Sequence, residues 1–147
     1  MSGSGAEGRV RFIGVVEGAG EVSRIRLFPG FCEGLDRLGD FSHAIVLYWF
    51  HLRDSEEERR ILRVLPRRHP GAPRVGVFAS RSPSRPNPIG LCVVGLVELE
   101  GCILRVRGLD AVEGSPIIDI KPYLPRAESV PDARVPGWAL QGPPSYV

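Results

Sequence analysis

Val15-Val16-Glu17-Gly18-Ala19-Gly20, followed by Glu21-Val22-Ser23-Arg24-Ile25-Arg26-Leu27, decides between two kinds of fold. A strand that runs into closely spaced glycines is how a dinucleotide-binding α/β domain begins. That site needs a helix N-terminus directly after the glycines, inside a βαβ unit, because the free N–H groups there hold the phosphates. Ser23 to Leu27 instead alternates polar and apolar residues, which is the period of a strand with one buried face. Gly18-Ala19-Gly20 is therefore read as a hairpin turn, and the α/β reading is set aside.

Working outward, the rest of the chain is punctuated in the same way. Fourteen prolines and eighteen glycines in 147 residues leave little room for long helices. Val10 to Val16 and Ser23 to Phe28 read as the first two strands, and Phe31 to Leu38 as a helical turn or two. Ala44 to Phe50 is a β-rich apolar run, expected to be a central strand buried on both faces. Asp54 to Arg60 is a short helix or an exposed loop. Ile61 to Leu65 and Val75 to Ala79 are expected as strands around a basic loop. Leu91 to Leu99 and Cys102 to Gly108 form a hairpin through Glu100-Gly101, and Pro116 to Ile120 is a last strand. From Pro122 a proline-rich tail wraps the surface or a partner subunit. Many short strands without an internal repeat or linker give a mainly β, single-domain antiparallel barrel or sandwich. The domain is expected over residues 9–147, after a flexible tail at 1–8.

Charge is unevenly spread. The whole chain carries +2, yet Arg53 to Arg85 holds nine arginines against four acids. That excess fits an anionic partner touching one region, or equally a solvated arginine-rich loop. Eighteen of the nineteen basic residues are arginine, and the single lysine is Lys121, a position that suits a compact ammonium. No apolar run approaches the roughly 20 residues that cross a bilayer, and the first residues lack the pattern of a signal peptide. Cys32, Cys92 and Cys102 are odd in number and widely spaced, and no Cys/His spacing suggests zinc. The economical expectation is a cytoplasmic protein with reduced thiols and no metal.

Three segments carry chemistry. In Arg81-Ser82-Pro83-Ser84-Arg85-Pro86-Asn87-Pro88-Ile89-Gly90-Leu91, three prolines stiffen a loop that presents two guanidiniums and an amide, suited to a carboxylate or phosphate. The alternative is a structural proline turn with its arginines in water. In Pro116-Ile117-Ile118-Asp119-Ile120-Lys121-Pro122-Tyr123, an extended chain puts Asp119 and Lys121 on one face, with Ile118 and Ile120 on the other. They form a plain ion pair or hold a reacting group. His51 ends an apolar strand, where it is either structural or part of a site.

Together, Phe41-Ser42-His43, Tyr48-Trp49-Phe50-His51, Gly76-Val77-Phe78-Ala79-Ser80-Arg81-Ser82-Pro83, Arg85-Pro86-Asn87-Pro88-Ile89-Gly90-Leu91 and Asp119-Ile120-Lys121-Pro122-Tyr123-Leu124-Pro125 resemble the TrmO family, also called TsaA or YaeB-like, from about residue 10 to about 132. The resemblance implies a β-barrel methyltransferase outside the Rossmann class, acting as a homodimer. The activity it implies is transfer of a methyl group from S-adenosylmethionine to N6 of threonylcarbamoyladenosine, beside the anticodon of tRNA. By motif match, cofactor contacts fall on His51, Leu52, Arg81, Leu91, Gly108, Leu109 and Asp110. Asp119, Lys121 and Tyr123 match the terminal motif and are the expected catalytic group, with Arg85 and Asn87 toward the substrate. The sequence departs from the family at Glu113 and Ser115, where Asp and Thr are usual, and in a short segment before Ser23 that usually carries an insertion helping to hold the cofactor. Methylating a poorly nucleophilic ureido-like nitrogen calls for a base, from Asp119, Tyr123 or a neutral Lys121. Arg81 and Arg85 are expected to grip the cofactor carboxylate or a phosphate.

Overall fold

The computed structural model describes residues 5–140. In chain order it contains strands β1 (Gly14–Gly18), β2 (Val22–Leu27) and β3 (His43–Trp49), helix α1 (Glu56–Arg59), the short strands β4 (Arg63–Val64) and β5 (Val75–Gly76), strands β6 (Ile89–Glu100), β7 (Ile103–Arg107) and β8 (Pro116–Pro122), and helix α2 (Pro125–Glu128). Six strands close into a barrel in the order β1-β2-β7-β6-β3-β8, and β4 pairs only with β5. Every pairing is antiparallel.

Alternation fills the interior. Val16, Ile25, Leu27, Ala44, Val46, Tyr48, Cys92, Val94, Leu104, Val106 and Ile117 are buried together, while their strand neighbours point out. Closing so few strands demands strong twist and coiling, which β-bulges supply. The register shifts at three places: between Val16 and Gly18, between Leu96 and Glu98, and where β8 passes Leu47 and Tyr48. Glu100 pairs with Ile103, and Gly101 turns the hairpin at φ 60°, a conformation that glycine adopts without a Cβ clash.

Several expectations are corrected. Ala44 to Phe50 is not buried on both faces: only alternate residues of β3 are buried, because the barrel has one interior. The first strand begins at Gly14 rather than Val10, and Ile13 joins the barrel through its N–H to the Ile117 carbonyl at 2.8 Å. Ile61 to Leu65 and Val75 to Ala79 each keep only two strand residues, and a 3-10 turn over Val77–Ala79 follows the second. In β8 the bulge makes Ile117, not Ile118, the fully buried isoleucine, since Leu47 pairs with Asp119 and Tyr48 with Ile117.

The cysteine reading is also overturned: Cys32 and Cys102 are joined by a disulfide, their Cα atoms 5.2 Å apart. Sequence spacing hides this closeness. Leu27 donates its N–H to the Cys102 carbonyl at 2.9 Å, so the turn after β2 lies against the start of β7. Cys92 is free and buried. Parts of the tails expected at 1–8 and beyond Pro122, namely residues 1–4 and 141–147, lie outside the described residues. Among the described residues no helix is long and apolar enough to cross a membrane.

Candidate functional site: a cleft beside the proline-rich loop

The loop after β5 is held from two sides. Pro83, Pro86 and Pro88 fix its backbone, and Arg85 turns back into it, its Nη1 donating to the carbonyls of Ser80 (3.1 Å) and Ser82 (3.0 Å). Helix α1 supplies the second brace. Ser55 caps it, its hydroxyl accepting the Glu58 N–H at 3.2 Å, which satisfies an otherwise orphan donor. Glu58 then accepts the buried Ser84 hydroxyl at 2.6 Å, and Arg53 donates to the same Ser84 oxygen at 3.1 Å. Arg59 donates to the Pro86 carbonyl at 2.7 Å and to Asn87 Oδ1 at 3.4 Å, and its guanidinium lies 5.7 Å from the Trp49 ring centre. The charged run at 54–60 is thus a clamp on the loop, which its sequence alone did not disclose.

Between this loop, the ends of β3 and β6, and the segment after β7 lies a cleft of about 540 Å³. His51, Leu52, Arg81, Leu91 and Asp110 line it, together with Arg85 and Asn87. Gly108 and Leu109 do not reach the surface of the cleft. Gly108 turns the chain at φ 85°, and Leu109 is buried beneath the lining. Tyr48, Phe50, Arg53, Arg68, Ser80, Ile89, Gly90, Ala111, Val112 and Ser115 contribute walls that sequence reading missed. A visible signal for Tyr48 and Gly90 was the alternation of two strands ending near one another. Arg68 offered none, since it reaches Asp110 (2.8 Å) from a loop 42 residues away.

The cleft's floor hangs from the barrel core. Tyr48 donates its hydroxyl to the Asp110 carbonyl at 2.6 Å. The Cys92 thiol donates to the Gly108 carbonyl at 3.2 Å, and its sulfur accepts the Asp110 N–H at 3.3 Å. Burial pushes the Cys92 thiol above its ordinary value, so it stays protonated and able to donate. Arg85 lines the cleft with its Nη1 engaged by its own loop. Arg81, by contrast, is exposed and forms no ion pair with any described residue.

Asp119, Lys121 and Tyr123 stand outside the cleft. Asp119 and Lys121 face outward from β8 and form an ion pair at 2.8 Å, and Asp119 Oδ1 also accepts the Ile120 N–H at 2.9 Å. The hydrogen bond to Asp119, reinforced by its charge, pushes the Lys121 pKa further up. Lys121 is therefore an ammonium at neutral pH, which removes a neutral lysine from the candidate bases. The Tyr123 ring meets His43 edge-on, 6.4 Å between centres, and Asp119 borders a second hollow of about 370 Å³ with Phe31, Phe41 and Ile120. The register links the two regions: Leu47 pairs with Leu91 on one side and with Asp119 on the other. The cleft wall and the carboxylate thus share an outer face, about 10 Å apart at two strand spacings.

Comparison with known proteins agrees with this architecture. The profile of the tRNA-methyltransferase O N-terminal domain matches residues 16–129. A probable S-adenosyl-L-methionine-binding protein of Methanothermobacter thermautotrophicus is 53% identical over 110 residues, 75% of each chain. The tRNA (adenine(37)-N6)-methyltransferase of Escherichia coli is 48% identical over 97 residues, 63% of this chain and 40% of that enzyme. The crystal structure of TrmO from Pseudomonas aeruginosa superposes with a TM-score of 0.72 at 32% identity, covering 94% of this chain and 65% of that one. The chain therefore spans less than two thirds of both methyltransferases. With its barrel, its cleft and most of its length matched in this way, the chain belongs to the TrmO family.

Proposed function

We propose that the protein is an S-adenosylmethionine-dependent tRNA methyltransferase that acts on N6 of threonylcarbamoyladenosine beside the anticodon. The observation that carries this reading is the cleft lined by His51, Leu52, Arg81, Leu91 and Asp110, on the barrel face that also bears Asp119 and Lys121. The names of the archaeal and Escherichia coli relatives support the cofactor and the class of reaction.

The cleft suits the cofactor. Its volume is that of a cofactor site, Phe50, Ile89 and Leu91 offer an apolar wall, and Arg81 is free to hold a carboxylate. His51, Leu52 and Asp110 would hold the nucleoside part, with Gly108 and Leu109 supporting Asp110 from beneath. When bound, S-adenosylmethionine supplies a methyl group on a sulfonium centre. The chain's own residues orient the acceptor and manage its proton. Asp119 accepts the proton of the acceptor nitrogen or orients that nitrogen, and the Lys121 ammonium stabilises the negative charge that develops. Tyr123 closes the group beside them, with Asn87 and Arg85 bordering the acceptor side of the cleft. Methyl transfer is an in-line displacement, so the rigidity of the proline loop contributes by positioning.

The protein acts as a homodimer in this reading. Ile45, Leu47, Ile89, Leu91 and Val93 make an apolar outward row beside Asp119 and Lys121. A second copy seated on it would exclude water from the space between cleft and carboxylate.

Nucleoside mass spectrometry tests the function directly. Purified protein, S-adenosylmethionine and tRNA from a strain lacking the modification should give a methyl-sized mass gain on threonylcarbamoyladenosine. Cofactor binding by calorimetry without that gain would instead favour a different acceptor or a binding module.

A further inference from the structure

Phe78 is 79% exposed, which is unusual for a phenylalanine that the fold holds firmly. Its neighbour Val77 is 1% exposed and donates its N–H to the Leu62 carbonyl at 2.9 Å. Ser80 closes the turn from the other side, with both its N–H (3.1 Å) and its hydroxyl (2.9 Å) donating to the Val77 carbonyl. The turn over Val77–Ala79 is therefore anchored on both sides of Phe78 and presents the ring to solvent. It does so three residues before Arg81, which lines the cleft.

The stretch of chain that carries the ring is rich in arginine. From Arg59 to Val97 the sequence contains eight arginines and no aspartate or glutamate. Arg60, Arg63, Arg67, Arg74 and Arg81 are exposed and form no ion pair with any described residue. The outer face of β2 and β7 contrasts with this. There Arg24 and Arg26 are paired with Glu17, Arg105 with Glu98 and Arg107 with Glu21. The arginines of the barrel wall are neutralised, whereas in the β4–β5 lobe Arg68 is paired with Asp110 and Arg63, Arg67 and Arg74 form no ion pair with any described residue.

A firmly held aromatic face on an arginine-rich segment fits a ligand with negative charge along its backbone and flat apolar faces exposed. Unpaired RNA has both, since its phosphates meet the arginines and its splayed bases stack on the ring. A two-fold contact between copies at this lobe would instead set two arginine-rich surfaces against each other. We propose that Phe78 is a stacking platform for an unpaired nucleobase of the RNA substrate, flanked by Arg63 and Arg74 as phosphate contacts, beside the methyl-donor cleft. This rests on the reading of the protein as a tRNA methyltransferase.

The test is fluorescence anisotropy with a labelled anticodon stem-loop RNA and, as control, a fully paired duplex, using the whole protein. Base–aromatic stacking contributes enough that Phe78→Ala should weaken stem-loop binding by about 5- to 150-fold, with duplex binding unchanged. Phe78→Trp should restore affinity and Phe78→Leu should not, because leucine keeps the apolar bulk without a ring face. Arg63→Ala and Arg74→Ala should each lower the salt dependence of log affinity by about 1, whereas Phe78→Ala should leave that slope unaltered. Calorimetric binding of S-adenosylmethionine should be equal in all these variants. If the parent binds and methylates tRNA but Phe78→Ala does so equally well, the platform is refuted and the function stands. If the parent neither binds nor methylates the RNA, both fall. A Phe78→Ala protein that loses self-association in light scattering while keeping RNA affinity would assign the ring to a contact between copies, and overturn the proposal.

Discussion

Replacing Gly90 by alanine joins the barrel core to the cleft in one perturbation. Gly90 pairs with Tyr48 across β3 and β6. A Cβ at Gly90 would stand 2.5 Å from Tyr48 Cζ, 2.8 Å from Tyr48 Cε2 and 2.8 Å from Phe50 Cζ. The two rings already meet edge-on at 5.3 Å, so neither has room to yield without moving the other. Overpacking of this kind costs about 1–3 kcal/mol. Displacing the Tyr48 ring also breaks its 2.6 Å hydrogen bond to the Asp110 carbonyl, which adds about 1 kcal/mol. The expected loss is then about 2–4 kcal/mol, or roughly 5–12 °C in Tm for a chain of this size. Urea unfolding with the disulfide intact measures the first quantity and a thermal scan the second. Tyr48→Phe separates the parts, since it removes the hydrogen bond without the clash and should cost about 1 kcal/mol. Because Tyr48, Phe50 and Asp110 line the cleft, Gly90→Ala should also weaken S-adenosylmethionine binding in a calorimetric titration. A Gly90→Ala protein within about 0.5 kcal/mol of the parent, which is the range of neutral surface changes, would refute the packing argument.

Four further outcomes are expected. Asp119→Asn and Lys121→Ala should each fold as the parent does but lose methyl transfer by about 100-fold or more, read by nucleoside mass spectrometry; full activity in both would sink their assignment. Reducing the Cys32–Cys102 disulfide, which spans 70 residues of sequence, should lower stability by about 4 kcal/mol on the loop-entropy model, measured as a shift in urea midpoint with and without reductant. Ser23 is fully buried, and its hydroxyl has no hydrogen-bond partner among the described residues, so Ser23→Ala should stabilise the barrel by about 1 kcal/mol; a loss of stability would mean that the hydroxyl is satisfied. Glu17 has its pKa lowered from the ordinary 4.5, chiefly by its hydrogen bond to Arg26. A depressed carboxylate stabilises the fold above its unfolded value and loses that contribution as pH falls through the folded one. Glu17→Gln should therefore flatten the acid side of the stability curve below about pH 4.5 and leave little difference in slope at neutral pH.

Much of the architecture is written locally. The alternation of Ser23 to Leu27, the two apolar halves around Glu100-Gly101 and the scarcity of helix-length segments identify an antiparallel β fold, because a period of two and a turn signal are properties of neighbouring residues. The same holds for the stiffness of the Pro83–Pro88 loop and for the shared face of Asp119 and Lys121, which follow from φ restriction and from the pleat. Only the tertiary structure could decide what depends on strand order and register. It is barrel closure that brings Cys32 to Cys102, Arg68 to Asp110, and Cys92 and Tyr48 beneath the cleft floor. A bulge in β8 exchanges Ile117 for Ile118 in the core, since one inserted residue reverses which side chains point inward. The arginines of 53–85 divide in the same way: their number is a fact of sequence, but that Arg53, Arg59 and Arg85 are spent bracing a loop, while Arg63, Arg74 and Arg81 stand in solvent, is a matter of where each guanidinium's partners lie in space.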